Sequence, residues 1–285
     1  MAELQTQATE APATPVAATL RRPRLHGWRR RWGRALTPIL GTLGFIALLQ
    51  LIVEVGIVSA DLVPLPTEVI DQFVRQLGQG DFWAAVLDTL EGWAIGLLLA
   101  AAAAIPLGVL AGTTTAAFRS MRFIVDFLRP IPSIALLPLL ILVLGIDIEV
   151  KIVLAALAGF FPIFFATLYG VQDLDPVARD TATVYKLNRF YRLIFVSLPG
   201  STPYIATGVR ISASVALLIT VGVEMVVGLP GIGRAIFDAQ YNSDLPLMYA
   251  LVAASGMLGV IIALVFRAAE RRVLRWHPSQ LREVA

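Results

Sequence analysis

The chain has 285 residues, 57% of them hydrophobic and 15% charged, with a formal net charge of +3. A soluble domain carries about 25% charged residues, so the polar surface is too small to cover a water-soluble fold, and a mean hydropathy of +0.76 points to a polytopic membrane protein. The absence of cysteine excludes disulfides, thiolate metal sites and thiol catalysis, and the only histidines, His26 and His277, lie in basic terminal segments with no partner at metal-ligand spacing.

Residues 1–20 are rich in Ala, Thr, Pro and Gln and hold few bulky apolar side chains, which reads as a disordered tail. Seven arginines between Arg21 and Arg34 follow, so 1–34 is a disordered and then basic N-terminal segment. With no soluble domain to present RRRWGR, this cluster reads as a contact with anionic lipid and not with nucleic acid. The first apolar span covers about Ala35 to Val58, about 24 residues or about 36 Å, enough to cross a bilayer. After it, LVPLPTEVIDQFVRQL places Val69, Ile70, Phe73, Val74 and Leu77 at helical spacing, an amphipathic outer helix that closes the 35–81 segment.

Residues 82–271 hold five further spans. The second, about Phe82 to Ala111, contains the small-residue run LAAAAAIPLG (Leu99 to Gly108), which lets helices approach closely in lipid. The third, about Phe123 to Gly145, contains Pro130, Pro132 and Pro138 and is expected to be kinked or broken. The fourth runs about Ile152 to Val171, the fifth about Tyr204 to Val227 and the sixth about Leu247 to Ala269, with a basic tail at 272–285. Most Arg and Lys fall in the N-terminal segment, the loop at Arg119, the loop at Lys186 and the tail. The opposite loops hold Arg75, Lys151 and Arg234 against eight acidic residues. Cationic loops mark the cytoplasmic side, so the expectation is an all-α protein with six transmembrane helices and both termini cytoplasmic.

Between the fourth and fifth spans lies a polar loop, 172–203, containing YKLNRFYRLIFVSLP (Tyr185 to Pro199). Written as a helix, it fans Lys186, Arg189 and Arg192 across one side, with Val184, Leu187, Tyr191, Ile194 and Phe195 roughly opposite. Two readings are open on these residues alone: an interfacial helix among phosphate headgroups, or a docking element for a groove on a cytoplasmic partner. Within the spans, Pro132, Ser133, Ser212, Ser214, Thr220 and Glu224 are candidates for a translocation pathway, because polar and ionisable groups in lipid are costly and default to function.

This loop, with LVPLPTEV (Leu62 to Val69), RPIPSIALLPLLILVLGI (Arg129 to Ile146), GFFPIFFATLYGVQDLDP (Gly159 to Pro176), TGVRISASVALLITVGVEMV (Thr207 to Val226) and GLPGIG (Gly228 to Gly233), resembles the permease subunits of ABC importers, the binding-protein-dependent transport family, in its nitrate-, sulfonate- and taurine-importing branch. The resemblance covers about Pro64 to Trp276. It implies a type I importer permease fold in a bacterial cell membrane, a cytoplasmic ABC ATPase dimer, a second permease copy in a homodimer and an extracytoplasmic substrate-binding protein. The solute would be small, anionic or heterocyclic. The chain has no G-x-x-x-x-G-K-[ST] phosphate loop, so it is not an enzyme in this reading, and ATP and Mg are bound by the partner ATPase and no cofactor by this chain. An ion-gradient-driven secondary transporter is the alternative.

The resemblance also assigns the ATPase-coupling loop: Arg179, Asp180, Thr181, Ala182, Tyr185, Lys186, Arg189, Phe190, Arg192, Leu198 and Pro199. The cations would face acidic residues of the ATPase, and the aromatic rings would make apolar contact. Counting back from Pro199, Asp180, Thr181 and Ala182 stand where the family motif has Glu-Ala-Ala, and Lys186 stands at the motif's turn glycine. Because a non-glycine residue enters the left-handed region at a cost of about 1 kcal/mol or more, the turn is expected to shift to Asn188, or the two flanking helices to run on as one. Leu198-Pro199 is expected to end the loop helix, since proline lacks an N–H.

Overall fold

The computed structural model describes residues 27–59, 62–114, 119, 127 and 132–275, with side chains from Leu40 onward except that of Arg189. The expected disordered tail at 1–20, the first part of the third span and the end of the basic tail lie outside the described residues. The chain divides into two compact units, residues 1–49 and 50–285. The described residues contain helices and no strand. The helices are α1 (Gly27–Glu54), α2 (Pro66–Leu77), α3 (Gly80–Gly112), α4 (Leu137–Leu144), α5 (Ile148–Gln172), α6 (Pro176–Val184), α7 (Arg189–Arg192), α8 (Leu198–Val227), α9 (Ile232–Tyr241) and α10 (Leu245–Val273).

Among the described residues, four runs are long and apolar enough to cross a membrane: α3, α5, Phe190–Val227 and α10; Leu40–Glu54 and Ser133–Leu144 are shorter apolar helices. The third expected span is broken where its prolines demand it. Pro132 precedes a tight 3₁₀ turn at Ser133–Leu136, and Pro138 occupies the first turn of α4, where a missing N–H costs nothing.

Helix α5 packs between α3 and α8, and the sequence of α3 shows why. It carries a small residue at every fourth position, Gly92, Gly96, Ala100, Ala104, Gly108 and Gly112, all of them buried. Four residues exceed one 3.6-residue turn, so this row winds about α3. It stays in contact with a partner only if the two helices coil right-handedly around each other. The partners on α5 step in the same register. A β-carbon on Gly96 would lie 2.7 Å from Ala155 Cβ and 2.9 Å from the Ile152 carbonyl oxygen, and one on Gly108 would lie 2.8 Å from Thr167 Cβ. In lipid, where apolar area gives no net drive to helix pairing, this close approach supplies the dispersion contacts that hold the pair. On the other side of α5, the Ser212 hydroxyl of α8 donates to the Gly159 carbonyl at 2.6 Å. The shared core gathers Leu97, Ala104, Ile163, Leu168, Ala213 and Leu217.

Helices α9 and α10 close one flank, where Phe82 and Val86 of α3 meet Ile232, Ile236, Leu251 and Ala254. The amphipathic α2 lies against α10 and turns Phe73 toward that cluster, while Ile70 and Val74 stay exposed. Toward the membrane surface that carries the N-terminus of α5, Leu137, Val150, Leu154, Val223 and Leu229 form a third cluster between α4, α5 and α8.

Candidate functional site

Everything from Asp173 to Ser197 sits at one end of the helical bundle, beyond the last turn of α5 and before the first of α8. Asp175 caps α6 by accepting from the Val177 N–H at 2.9 Å, and Pro176 occupies the position that needs no donor. The Gln172 amide donates to the Gly112 carbonyl, joining the ends of α5 and α3, and the Tyr204 hydroxyl donates to the Asp173 carboxylate.

Arg179 is turned toward its own chain. Its Nη2 donates to the carbonyls of Val171 at 2.7 Å and Gln172 at 3.0 Å, the orphan acceptors at the C-terminus of α5, where a positive charge also opposes the helix dipole. Ala182 is likewise turned inward, at 2% exposure. Asp180 and Thr181 are exposed, and the Thr181 hydroxyl donates to the Val177 carbonyl.

The turn falls on Lys186 itself, with φ of 50°, which overturns both the shift to Asn188 and the single continuous helix. The compensation is visible in the hydrogen bonds. The Leu187 N–H donates to the Ala182 carbonyl and the Lys186 N–H to the Thr183 carbonyl, each at 3.0 Å. This is the paired closure of a helix C-terminus around a left-handed residue, and two satisfied carbonyls offset the left-handed cost. Asn188 serves instead as the cap of the next helix, its Oδ1 accepting from the Tyr191 N–H at 2.8 Å.

The loop shows the surroundings an apolar row. Tyr185 is 77% exposed, Phe190 66% and Phe195 65%, and Tyr191 stacks on Phe195 with ring centroids 5.8 Å apart. Lys186 is exposed, Arg192 is half-buried, and the Arg189 side chain lies outside the described residues. Nor does Leu198-Pro199 end the helix. The chain widens to a π-helical turn over Leu193–Ser197, in which the Leu198 N–H donates five residues back to the Leu193 carbonyl. The wider turn accommodates the ring of Pro199, and the Ser201 hydroxyl takes up the Ser197 carbonyl at 2.7 Å. Leu198 is exposed and Pro199 half-buried, and the helix runs on to Val227.

At the opposite end of the bundle lies a buried ionic network that the sequence reading missed. Lys151, counted there among outer-loop cations, is 2% exposed, and Glu224 is fully buried. Lys151 Nζ donates to Glu224 Oε1 at 3.1 Å, to the Asp88 carbonyl at 2.8 Å and to the Pro230 carbonyl at 2.9 Å, which uses all three of its protons. Glu224 Oε2 accepts from the Thr89 hydroxyl at 2.8 Å and from the Gly233 N–H at 3.1 Å, and Thr89 Oγ1 accepts from the Ile232 N–H at 2.9 Å. The carboxylate thus sits at the N-terminus of α9, where free amides and the helix dipole favour an anion. Gly92 leaves the groove through which the Lys151 stem crosses α3: a β-carbon there would lie 2.6 Å from Lys151 Cε. Gly231, at φ of 148°, brings the backbone where any β-carbon would fall on the Glu224 carboxylate. One signal could have revealed the pair. A lone Lys stands one turn inside the start of one apolar span and a lone Glu one turn inside the end of another, at matching depth.

The pathway candidates separate. Ser212, Thr220 and Glu224 are fully buried within the chain. Their polar atoms are spent on Gly159, on the Ala216 carbonyl and on Lys151 and Thr89. In this structure they act as packing and pairing groups. Ser214 and Pro132 are exposed and Ser133 half-buried. Arg210 pairs with Glu270 at 2.8 Å, tying α8 to α10.

Residues 104–275 match the protein family described as binding-protein-dependent transport system inner membrane component. Over 270 residues the chain is 29% identical to the putative aliphatic sulfonates transport permease protein SsuC of Bacillus subtilis, covering 94% of this chain and 95% of that protein. It is 28% identical over 264 residues to the taurine transport system permease protein TauC of Escherichia coli, covering 89% and 96%. To the nitrate import permease protein NrtB of Leptolyngbya laminosa it is 33% identical over 208 residues, covering 72% and 74%. Among solved structures, a chain of the MetNI methionine ABC transporter in an inward-facing conformation shares the fold. The TM-score is 0.60 at 18% identity, over 66% of this chain and 94% of that one.

Proposed function

The chain belongs to the family of binding-protein-dependent transport system inner membrane components, and from that premise we propose that it is the permease of an ATP-driven importer, docked by its ATPase at Asp175–Ser197. It is a multi-pass membrane transport component, in this reading of a bacterial cell membrane. ATP and Mg belong to a separate cytoplasmic ATPase dimer, and a second copy of the chain completes the permease. The solute, handed over by an extracytoplasmic binding protein, is a small anion of the kind named for the relatives.

The observation that carries this reading is the exposed row Tyr185, Phe190, Tyr191 and Phe195. It is held out from the bundle on a helix pair whose caps, Asp175 and Asn188, and whose anchor, Arg179, are all internally bonded. A loop resting on lipid has no need of a left-handed lysine and a capped corner, whereas a surface that must fit a groove needs fixed geometry. The movement of an ATPase dimer reaches α5 through Arg179, passes from α5 to α3 through the Gln172–Gly112 bond, and reaches α8 through the helix that runs on from Phe190. Of the six pathway candidates, Ser214, Pro132 and Ser133 are the ones not buried within the chain and left to face a solute.

The test is purification of the tagged chain from its host in mild detergent. A stoichiometric soluble subunit with an ATP-binding loop is expected with the wild type. It should be lost in Tyr185→Ala/Phe190→Ala with no change in thermal unfolding of the chain. A chain recovered without any ATPase, alongside other membrane complexes that stay intact, overturns the reading in favour of gradient-driven transport.

A further inference from the structure

The network at Lys151 has no part in ATPase docking. Lys151 and Gln172 lie at opposite ends of α5, about 30 Å apart along the helix, roughly one hydrocarbon thickness. Its bonds have a specific distribution. Lys151 comes from α5, Glu224 from α8, and Thr89 and the Asp88 carbonyl from α3. All the remaining partners belong to one short piece of chain: the Pro230 carbonyl and the Ile232 and Gly233 N–H groups, the turn that starts α9. Three spans are thus bonded to one turn through a single ion pair. A buried ion pair is a poor way to gain stability, since apolar packing of the same volume does as well, and its better-attested use is to fix one geometry.

The glycines of the turn suit that purpose. Gly228 closes α8 in the left-handed region with φ of 77°, and Gly231 and Gly233 admit no side chain because Glu224 and the Val221 carbonyl occupy that space. Beyond the turn, α9 buries Ile232, Ile236 and Ala239. It exposes the stacked pair Phe237 and Tyr241, with centroids 6.5 Å apart, beside the Arg234–Asp238 ion pair.

We propose that Lys151, Glu224 and Thr89 are positioning residues that clamp α9 to the ends of α3, α5 and α8, so that α9 moves with these spans as one body. Resting on the importer reading, the consequence is that contact of the binding protein with the outer face is passed to the spans through a rigid α9, and through the spans to the ATPase. Loosening the clamp uncouples that signal without disturbing the docking loop at the far end.

The test uses the native complex in lipid nanodiscs, wild type against Glu224→Gln and Thr89→Val. Glutamine cannot neutralise the Lys151 ammonium. Valine removes one link between Glu224 and Ile232 and leaves no charge unpaired, so it carries the test if the first variant fails to assemble. Ser255→Ala, which loses only a local bond to the Val252 carbonyl, is the control. Hydrogen exchange at Ile232–Tyr241 is expected to quicken tenfold or more, with Asp175–Ser197 unchanged. The ratio of ATPase rates with and without binding protein purified from the same host should fall at least fivefold, with the basal rate within twofold of wild type. Unchanged exchange in α9 overturns the clamp. Faster exchange with a wild-type ratio, or basal and stimulated rates falling in proportion, overturns its role in coupling. If the wild type carries no ATPase, the importer reading alone fails, and the exchange measurement still decides the clamp.

Discussion

Gly96→Ala sets two effects of opposite sign against each other. In a helix interior, alanine is favoured over glycine by about 1 kcal/mol, so a methyl at an unobstructed site should stabilise. At Gly96 the new β-carbon would lie 2.7 Å from Ala155 Cβ, which is 0.7 Å inside the 3.4 Å at which ordinary contact begins, and 2.9 Å from the Ile152 carbonyl oxygen. Neither obstacle can rotate away, since one is a methyl fixed to the backbone and the other is backbone. The helices must separate, and a gap of 0.5–1 Å forfeits about a quarter to a half of each dispersion contact along the row. Overpacking of this kind costs about 1–3 kcal/mol. Taking the upper half of that range and subtracting the helix-propensity gain leaves a net loss of about 1–2 kcal/mol. At about 2–4 °C per kcal/mol, the unfolding midpoint should fall by about 2–8 °C. Thermal unfolding followed by tryptophan fluorescence in one detergent is the assay. Gly256→Ala serves as the reference, because a β-carbon there meets nothing within 4 Å and should leave the midpoint unchanged or raise it. A Gly96→Ala midpoint at or above wild type would refute the account of α3–α5 packing.

Further outcomes follow from the same geometry. Lys151→Met and Glu224→Gln should each destabilise by about 3–5 kcal/mol, because either leaves a buried charge unpaired. The double variant should cost less than the sum by at least about 2 kcal/mol, measured as a thermodynamic cycle in SDS titration. Lys186→Gly relieves a left-handed lysine and should stabilise the α6–α7 corner by about 1 kcal/mol, whereas Lys186→Val should loosen it; hydrogen exchange at the Leu187 amide reads both. Arg179→Ala should lower the thermal midpoint by a few degrees, since the carbonyls of Val171 and Gln172 lose their donor. Phe190→Ala should leave the midpoint unchanged and act only on retention of the ATPase.

The sequence alone determined the class of the protein, its four long apolar spans and the place of its loop. Each of these follows from composition or local periodicity. An excess of apolar residues can be satisfied only by lipid, Pro132 and Pro138 fall where the third span is interrupted, and a run of small residues marks a helix that meets another closely. The exposed aromatic row was legible as well, because Tyr185, Phe190 and Phe195 are as conspicuous in the sequence as in the fold.

What the tertiary structure decided were partners. Arg179 is a cation like Lys186 in the sequence, and only the fold turns it onto the end of α5. The left-handed conformation settled on Lys186 and not on Asn188, because the helix closure requires it three residues after Thr183 and Asn188 is needed as a cap. Ser212, Thr220 and Glu224 read as pathway groups in isolation, yet packing buried each against an acceptor or a counter-charge. Lys151 and Glu224 are 73 residues apart, and nothing local to either specifies the other. A buried charge must find its partner wherever the helices bring one, and that choice is made by the packing of α3, α5 and α8.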